Sequence, residues 1–244
     1  MCSTRIVTPI SGMERATTTV WCRSSAPSSQ KTTMTSRDGV ISAIILCGGK
    51  STRAGFDKQT LRIDGLLIAE WIAKGLSAAF EEVILVTNQP RLYSDSRCRV
   101  VEDIIQNRGP LGGIHAGLSS CTGAFAFVTA CDMPNSSQAY LSLLKKKAAQ
   151  AEGRIDAMAV RLENGMLESM NALYAKRILP QIEEALAKGE PSVSGLLRRL
   201  NTRYVSEAEI MPFGGREHLF FNMNTPKEVD FFYAQRRCGK EERR

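Results

Sequence analysis

The sequence predicts an α/β protein in which a mostly parallel sheet carries helices on both faces. Short runs rich in aliphatic and β-branched residues, such as VISAIIL at 40–46 and VILVT at 83–87, are typical of buried parallel strands. These runs alternate with segments of helical periodicity, as expected for a sheet built from strand–helix–strand units. A chain of 244 residues with 43% hydrophobic residues can bury the core that such a domain needs.

The elements follow from these patterns in chain order. Apolar runs predict strands, and apolar residues at helical spacing predict helices. Lysines near the end of the helix over 138–150 suit the negative end of its dipole. The predicted strands are 40–46, 83–87, 99–101, 125–130, 155–160, 170–174 and 219–221, and the predicted helices are 66–80, 111–120, 138–150, 178–187, 193–200 and 227–235.

Composition excludes several classes of protein. No run of about 18 apolar residues is present, so the sequence predicts no membrane span. Only two histidines occur, which argues against a histidine-rich metal site and most histidine-based charge relays. The seven cysteines are scattered and form no CxxC pair, which favours the reducing cytoplasm over a secreted protein.

The formal net charge of +7 is concentrated at the two ends of the chain. Residues 1–37 contain five basic residues and one acidic residue, and residues 236–244 contain five and two. The remaining residues balance, with 22 basic and 22 acidic side chains. Nucleic-acid-binding domains carry their excess charge on a folded face, so we expect no nucleic-acid partner.

The same distribution suggests three segments. Residues 1–37 are rich in Ser and Thr, poor in acids and without periodicity, which predicts a disordered N-terminal extension. Its composition resembles an organelle transit peptide, but an over-extended start with Met34 as the initiator is the favoured interpretation. Residues 38–235 form the predicted folded domain, and residues 236–244 form a basic tail that we expect to be solvated.

The segment LCGGKSTRAGFDK at 46–58 predicts a phosphate-binding loop. A strand leads into two glycines, which allow backbone N–H groups to approach phosphate oxygens, and Arg53 and Lys58 can neutralise a triphosphate. Ile44 stands where a Walker A loop requires glycine, and the dinucleotide-binding GxGxxG pattern is absent. The alternative is a surface turn decorated with charge.

This segment resembles the signature LAGGxSxRMGxDK of the molybdenum cofactor guanylyltransferases. Three further segments match that family in order: GPLGGI at 109–114, CDMP at 131–134 and NMNTP at 222–226. The resemblance spans about residues 40–235. Cys47 and Ala54 stand where the family usually has alanine and methionine. Because Ala54 is small, the sequence does not predict how the residues beneath the loop are packed.

The resemblance implies a Rossmann-like three-layer αβα nucleotidyltransferase fold and an enzyme that joins GMP from GTP to molybdopterin, releasing pyrophosphate. Asp132 ends a predicted strand and would bind Mg²⁺ together with substrate phosphates; a helix N-cap before Pro134 is the alternative. Lys58 would hold the triphosphate, with assistance from Arg53. Molybdoenzymes or their chaperones would be the partners that accept the product.

Other residues receive roles on the same basis. Asp103, just after the third predicted strand, would contact the nucleotide through the N1–H and amine of guanine or help with the metal; a solvated loop acid is the alternative. Asn222 and Asn224 suit the pterin or a phosphate, with turn formation before Pro226 as the alternative. The predicted nucleotide- and cofactor-binding residues are Leu46, Cys47, Gly48, Gly49, Lys58, Asp103, Asp132, Asn222 and Asn224, and the predicted catalytic residues are Lys58, Asp132 and Arg53.

Two other functions stay open. The first is a cytidylyltransferase acting on the same cofactor, although that relative typically has LAAG where this chain has LCGG and lacks a segment like GPLGGI at 109–114. The second is a non-catalytic module that binds nucleotide or molybdopterin. The presence of both Lys58 and Asp132 argues against the module, since a degenerate site need not retain both.

Overall fold

A computed structural model describes residues 40–48, 57–105, 108–151, 154–190 and 192–241. Predictions about residues 1–37, Gly49 and Arg53 therefore lie outside the described residues. Nine strands run in chain order through the described ranges. They are β1 (Ile41–Leu46), β2 (Arg62–Ile63), β3 (Leu66–Leu67), β4 (Val83–Val86), β5 (Arg99–Val101), β6 (Phe125–Ala130), β7 (Ala157–Arg161), β8 (Leu167–Ala175) and β9 (Thr202–Ser206).

In the same part of the chain, eight α-helices lie between and after these strands. They are α1 (Ile68–Leu76), α2 (Gly109–Ser120), α3 (Gln138–Ala149), α4 (Leu179–Ala187), α5 (Val193–Arg199), α6 (Glu207–Ile210), α7 (Gly215–Leu219) and α8 (Pro226–Glu241). No helix in these described ranges is long and apolar enough to cross a bilayer.

The central sheet has seven strands in the order β5-β4-β1-β6-β8-β7-β9. Strand β1 pairs in parallel with both β4 and β6, and β4 pairs in parallel with β5. Strand β8 is antiparallel to its two neighbours, β6 and β7, so the sheet is mostly parallel with one reversed strand. This confirms the predicted sheet.

Helices cover both faces of the sheet, because alternate residues of each strand point to opposite sides. Ala43 and Ile45 of β1 belong to one buried cluster, which also includes side chains of α1, α3 and α8. Ile44 and Leu46 belong to the other, with side chains of α2, α4 and α5. The result is the predicted three-layer αβα arrangement.

Several element predictions need correction. The predicted strand over 219–221 is wrong: Leu219 ends α7, and Phe220 and Phe221 are not in a strand. The predicted helix over 66–80 begins only at Ile68, since Leu66 and Leu67 form β3 of a two-stranded hairpin with β2. Strand β9 was not predicted, and α8 continues past Gln235, where the folded domain was expected to end.

Candidate active site

The parallel strands β1, β4, β5 and β6 deliver their carboxyl ends to one edge of the sheet. The residues that follow them there are Cys47 and Gly48, Thr87 and Asn88, Asp103, and Asp132. In open α/β sheets ligands bind beyond this edge. The strand register therefore brings residues far apart in sequence to one candidate site.

A three-residue cluster lies at the centre of this edge. The Lys58 ammonium group donates to Asp132 Oδ2 at 2.7 Å and to Asn224 Oδ1 at 2.7 Å. The side chains of Lys58 and Asp132 are 16% and 23% exposed, so the ion pair is partly shielded and still reachable from solvent. The cluster joins three segments that the sequence separates by as much as 166 positions.

Local structure holds each member of the cluster. Lys58 begins a single turn of 3₁₀ helix whose N-cap is Asp57. Asp132 is the second residue after the buried strand β6, and its carbonyl accepts the backbone amide of Met223 at 2.9 Å. That bond attaches the segment preceding α8 to the end of β6.

The start of α8 fixes Asn224. Glu228 Oε2 accepts the backbone amides of Asn224 and Thr225, each at 2.8 Å, and also the Thr225 hydroxyl at 3.1 Å. These hydrogen bonds from Asn224 and Thr225 outweigh desolvation and lower the pKa of Glu228 below its usual range, so its carboxylate stays charged at neutral pH. A charged cap therefore orients the asparagine that accepts from Lys58.

Asp103 forms a second polar position on the same edge. Its Oδ2 accepts from Asn88 Nδ2 at 3.1 Å. Burial raises the pKa of Asp103 above its ordinary value, and the hydrogen bond from Asn88 opposes that shift. A half-buried carboxylate held by one amide can accept hydrogen bonds from a ligand.

Two glycines of α2 lie close to Asp103 and to strand β1. A Cβ at Gly113 would lie 3.1 Å from Leu46 Cδ2 and 3.6 Å from Asp103 Oδ1. One turn later, a Cβ at Gly117 would lie 2.6 Å from Ile44 Cγ2. The absence of side chains lets α2 approach β1 closely and leaves no Cβ between the helix and Asp103.

The donor set at this edge is sparse for a divalent metal. The described residues include no group of three or more His, Cys, Asp or Glu side chains arranged to hold a metal ion. Asp132 supplies a single carboxylate beside a lysine. Such a set fits Mg²⁺, which commonly takes one or two carboxylates and completes its coordination with substrate phosphates and water.

Comparison with known proteins decides the family. A sequence model described as the MobA-like NTP transferase domain matches residues 43–204. The chain belongs to this family. It is therefore a member of a family of nucleotidyltransferase enzymes.

Similar proteins include two curated relatives. A probable molybdenum cofactor guanylyltransferase of Peptoclostridium acidaminophilum is 42% identical over 191 residues, covering 77% of this chain and 86% of the relative. A molybdenum cofactor guanylyltransferase of Syntrophotalea carbinolica is 36% identical over 194 residues, covering 80% and 91%.

A solved structure has the same fold. The molybdopterin-guanine dinucleotide biosynthesis protein A of Archaeoglobus fulgidus matches with a TM-score of 0.68 and 27% identity, covering 82% of this chain and 99% of that one. The family model covers most of β1, all of β4, β5 and β6, and most of the site edge described above. Asn224, by contrast, lies beyond the matched segment.

The structure brings some predicted residues of this MobA-like domain together and leaves others apart. Lys58, Asp132 and Asn224 meet, and Asp103 lies on the same edge. Asn222 does not join the cluster, because its side-chain amide donates to the Phe220 carbonyl at 3.1 Å.

The strand that precedes the phosphate loop differs from the prediction in one detail. The Cys47 amide donates to the Val86 carbonyl at 2.7 Å, so this N–H is used within the sheet instead of facing a ligand. Leu46 is buried and pairs with both neighbouring strands. Gly48 is the last residue that the structure describes before position 49. It lies beyond the end of β1 and is exposed.

Sequence reasoning missed three polar residues at this edge. Asn88 follows β4 in the way Asp103 follows β5, and its position after an apolar run was the available signal. Asp57 and Gln59 flank Lys58, but nothing in the sequence indicates that both side chains contact the loop after β4. Only the three-dimensional arrangement reveals those contacts.

Proposed function

We propose that this protein transfers GMP from GTP to the terminal phosphate of molybdopterin, forming the guanine dinucleotide cofactor and releasing pyrophosphate, with Mg²⁺. The observation that carries the proposal is the Lys58–Asp132–Asn224 cluster at the carboxyl edge of a MobA-like NTP transferase domain. The names of the similar proteins from P. acidaminophilum and S. carbinolica support the choice of base and acceptor.

The chemistry asks for positioning and charge neutralisation. The attacking group is a phosphate oxygen that is already anionic, so no general base is needed to generate it. Lys58 offers a cation for the triphosphate and for the pyrophosphate leaving group, as transferred and leaving phosphates require. The backbone N–H groups of Gly48 and Gly49 and the guanidinium group of Arg53 would contact the same phosphates.

Asp132 would hold the metal. A Mg²⁺ ion bound there would neutralise charge on the phosphates when the substrates are in place. Lys58 pairs with the Asp132 carboxylate at 2.7 Å. The ion pair thus holds the carboxylate in place just beyond the end of a buried strand.

Asp103 would recognise the base. An ionised carboxylate can accept from both the N1–H and the exocyclic amine of guanine, a pair of donors that cytosine lacks. The hydrogen bond from Asn88 orients the Asp103 carboxylate, and the bare backbone at Gly113 leaves room beside it. This arrangement favours GTP over CTP.

We place the pterin near Asn224, whose exposed side chain lies beside Lys58 at the start of α8, and near Asn222 and Arg53. Molybdoenzymes or their chaperones would accept the product. The described Cys47, Cys98, Cys121 and Cys131 are free thiols, which suits a cytoplasmic reaction.

The testing experiment is a transfer assay. Purified protein, Mg²⁺ and molybdopterin are incubated with labelled GTP or CTP, and the dinucleotide product is counted. We expect product from GTP, little from CTP, and none without Mg²⁺. Preference for CTP would overturn the role of Asp103, and nucleotide binding without transfer from either would favour a binding module or a different acceptor.

Variants of Asp132 sharpen this assay. Asp132→Ala and the near-isosteric Asp132→Asn should each lower transfer by about a thousandfold or more, because both remove the metal-binding carboxylate. Nucleotide binding should persist weakly. The matched control is Asp95→Asn, an exposed acid outside the site, which should keep full turnover. Full turnover by Asp132→Asn would contradict the metal assignment.

A further inference from the structure

The two residues that flank Lys58 both reach the same loop. Asp57 Oδ2 accepts from Gln89 Nε2 at 2.7 Å. Gln59 Oε1 accepts from the Thr87 hydroxyl at 2.7 Å. The short turn that carries Lys58 is therefore attached on both sides to the loop that follows β4.

The attachment through Gln59 is buried. Gln59 is only 5% exposed, an unusual position for an amide side chain. Its Oε1 also accepts from the Tyr93 hydroxyl at 3.3 Å. Burial raises the pKa of Tyr93, so its hydroxyl remains protonated and available as a donor. Two buried donors thus fix one acceptor next to Lys58.

The same loop also contacts the base-binding position. Asn88, between Thr87 and Gln89, donates to Asp103. The backbone N–H of Gln89 donates to the Thr87 hydroxyl at 3.0 Å, and this hydrogen bond within the loop restricts its conformation. Residues 87–89 therefore connect the Lys58 turn with Asp103.

We propose that Asp57 and Gln59 are positioning residues that act through Lys58, and that the loop 87–89 holds the phosphate-binding lysine and the base-binding carboxylate in a fixed relation. This inference rests on the proposed nucleotide site and assigns residues that bind neither substrate. Asp132 and Asn224 hold the Lys58 ammonium group, but the turn that carries the Lys58 backbone has only three residues. The contacts of Asp57 and Gln59 with the loop fix the position of that turn.

The test is a double-mutant cycle between Gln59→Met and Lys58→Ala. Methionine has a similar length and shape but offers no comparable acceptor, so it removes the two hydrogen bonds with little change in volume. The readouts are the affinity for inorganic triphosphate with Mg²⁺, measured by calorimetry, and kcat and KM for GTP. If Gln59 were merely structural, Gln59→Met would lower the melting temperature but would not change the triphosphate affinity, kcat or KM of the folded protein.

Gln59→Met alone should lower kcat/KM for GTP about tenfold or more, since small misplacements of a charge-stabilising group are costly. It should also weaken triphosphate binding severalfold. In the Lys58→Ala background the same change should have no further effect on either quantity, because residues acting through one group are non-additive. Equal effects in both backgrounds would overturn the proposal.

A second pair covers the possibility that Gln59→Met does not fold. Gln89→Ala removes the partner of Asp57 at an exposed position, where loss of fold is not expected. It should weaken triphosphate binding in the wild-type background and have no effect beside Lys58→Ala. Thr60→Val is the matched control, since Thr60 is exposed and its hydroxyl bonds only to the Asp57 carbonyl of its own turn among the described residues. It should match the wild type.

Triphosphate binding keeps this test separate from the proposed function. If wild-type protein binds triphosphate but makes no dinucleotide, the choice of reaction fails while the cycle still measures the role of Gln59. If transfer is confirmed and Gln59→Met and Gln89→Ala both behave as wild type, the positioning role fails and the proposed function stands.

Discussion

At the scale of single residues, Asp103 offers the most direct test of how the site selects its base. Replacing it by Asn exchanges one carboxylate oxygen for an amide donor, which repels the guanine amine and suits the carbonyl that xanthine carries instead. We expect Asp103→Asn to lower kcat/KM for GTP by about a hundredfold and to raise activity with XTP. Steady-state transfer assays with GTP, XTP and CTP measure this change in preference.

The same residue sets an expected pH dependence. Burial raises the pKa of Asp103, so acidification protonates it at a higher pH than an ordinary aspartate. The protonated group cannot accept from both guanine donors, and KM for GTP should therefore rise on the acidic side while Asp103→Asn lacks this limb. An identical acidic limb in both proteins would show that another group is responsible.

Residue-scale prediction from sequence succeeds where a side chain lies within a distinct motif. Lys58, Asp132 and Asn224 were predicted as site residues, and they meet. Asn88 was missed because an exposed asparagine after a strand is also a common loop residue. Its role depends on Asp103, fifteen positions away, which only the pairing of β4 with β5 brings near.

At the scale of elements, the close approach of α2 to β1 depends on Gly117. An added Cβ would lie 2.6 Å from Ile44 Cγ2 and 2.8 Å from Ile44 Cδ1. Overpacking costs about 1–3 kcal/mol, which outweighs the gain of about 1 kcal/mol from the higher helix propensity of alanine. Gly117→Ala should therefore lower the free energy of unfolding by up to about 2 kcal/mol in urea denaturation.

Gly75 of α1 provides the matched control for this substitution. The nearest atom to a methyl group added at this position would be Ser136 Oγ at 3.5 Å, an ordinary van der Waals contact. Gly75→Ala should thus be neutral or stabilising by about 0.5–1 kcal/mol. Equal destabilisation by both changes would mean that the helix–strand distance is not the controlling factor.

The amino-terminal ends of several strands are joined by one carboxylate. Glu82 accepts from the Ser42 hydroxyl at 2.6 Å, from the Thr122 amide at 2.8 Å and from Arg99 at 3.2 Å. Desolvation alone would raise the pKa of Glu82, but the hydrogen bonds from Ser42 and Thr122 outweigh it and lower the pKa. Its stabilising contribution is thus present above the unfolded carboxyl pKa and lost as the pH falls through the folded value.

Glu82→Gln should accordingly destabilise the protein at pH 7 by about 1–2 kcal/mol, the scale of hydrogen bonds to a charged group. The difference from wild type should shrink below about pH 4, because the unfolded carboxyl group takes up its proton there while the folded pKa is lower. Urea denaturation at both pH values measures it. A difference that is unchanged in acid would mean that the charge of Glu82 contributes nothing.

Element prediction failed where the deciding contact is not local. Leu219–Phe221 has the composition of a strand, but the Leu219 carbonyl accepts from the Asn171 side chain of β8 instead of a neighbouring strand. Two glycines with positive φ, Gly214 and Gly215, begin a helix of five residues, too short to show a helical period. By contrast, the missed hairpin had a local signal: Asp64-Gly65, both with positive φ, is a favoured two-residue turn.

At the scale of the whole molecule, the parallel sheet followed from alternation, whereas its reversed strand did not. Strand β7 ends at Arg161 and β8 begins at Leu167, a connection too short for the crossover that parallel neighbours need. The predicted strands at 155–160 and 170–174 left only nine residues between them, which is also fewer than a crossover needs. Apolar periodicity identifies strands, but their direction has to be inferred from the length of the connection between them.

Charge distribution leads to a prediction about the intact chain. Residues 38–235 balance in charge, whereas residues 1–37 carry +4 and show no periodicity, so we propose that residues 1–37 contribute neither to the fold nor to the site. A chain lacking them should keep its melting temperature within about 2 °C and keep its kcat for transfer. It should also elute earlier from a cation exchanger, because the deletion removes +4 of the formal net charge of +7.

The two measurements separate stability from charge. Earlier elution with unchanged melting and transfer would place the excess basicity outside the working domain. A drop of many degrees would instead mean that residues 1–37 pack against the domain. Retention stronger than the remaining +3 of residues 236–244 explains would locate a basic surface on the fold itself, since like charges concentrated on one face bind a polyanionic matrix even when the total is small.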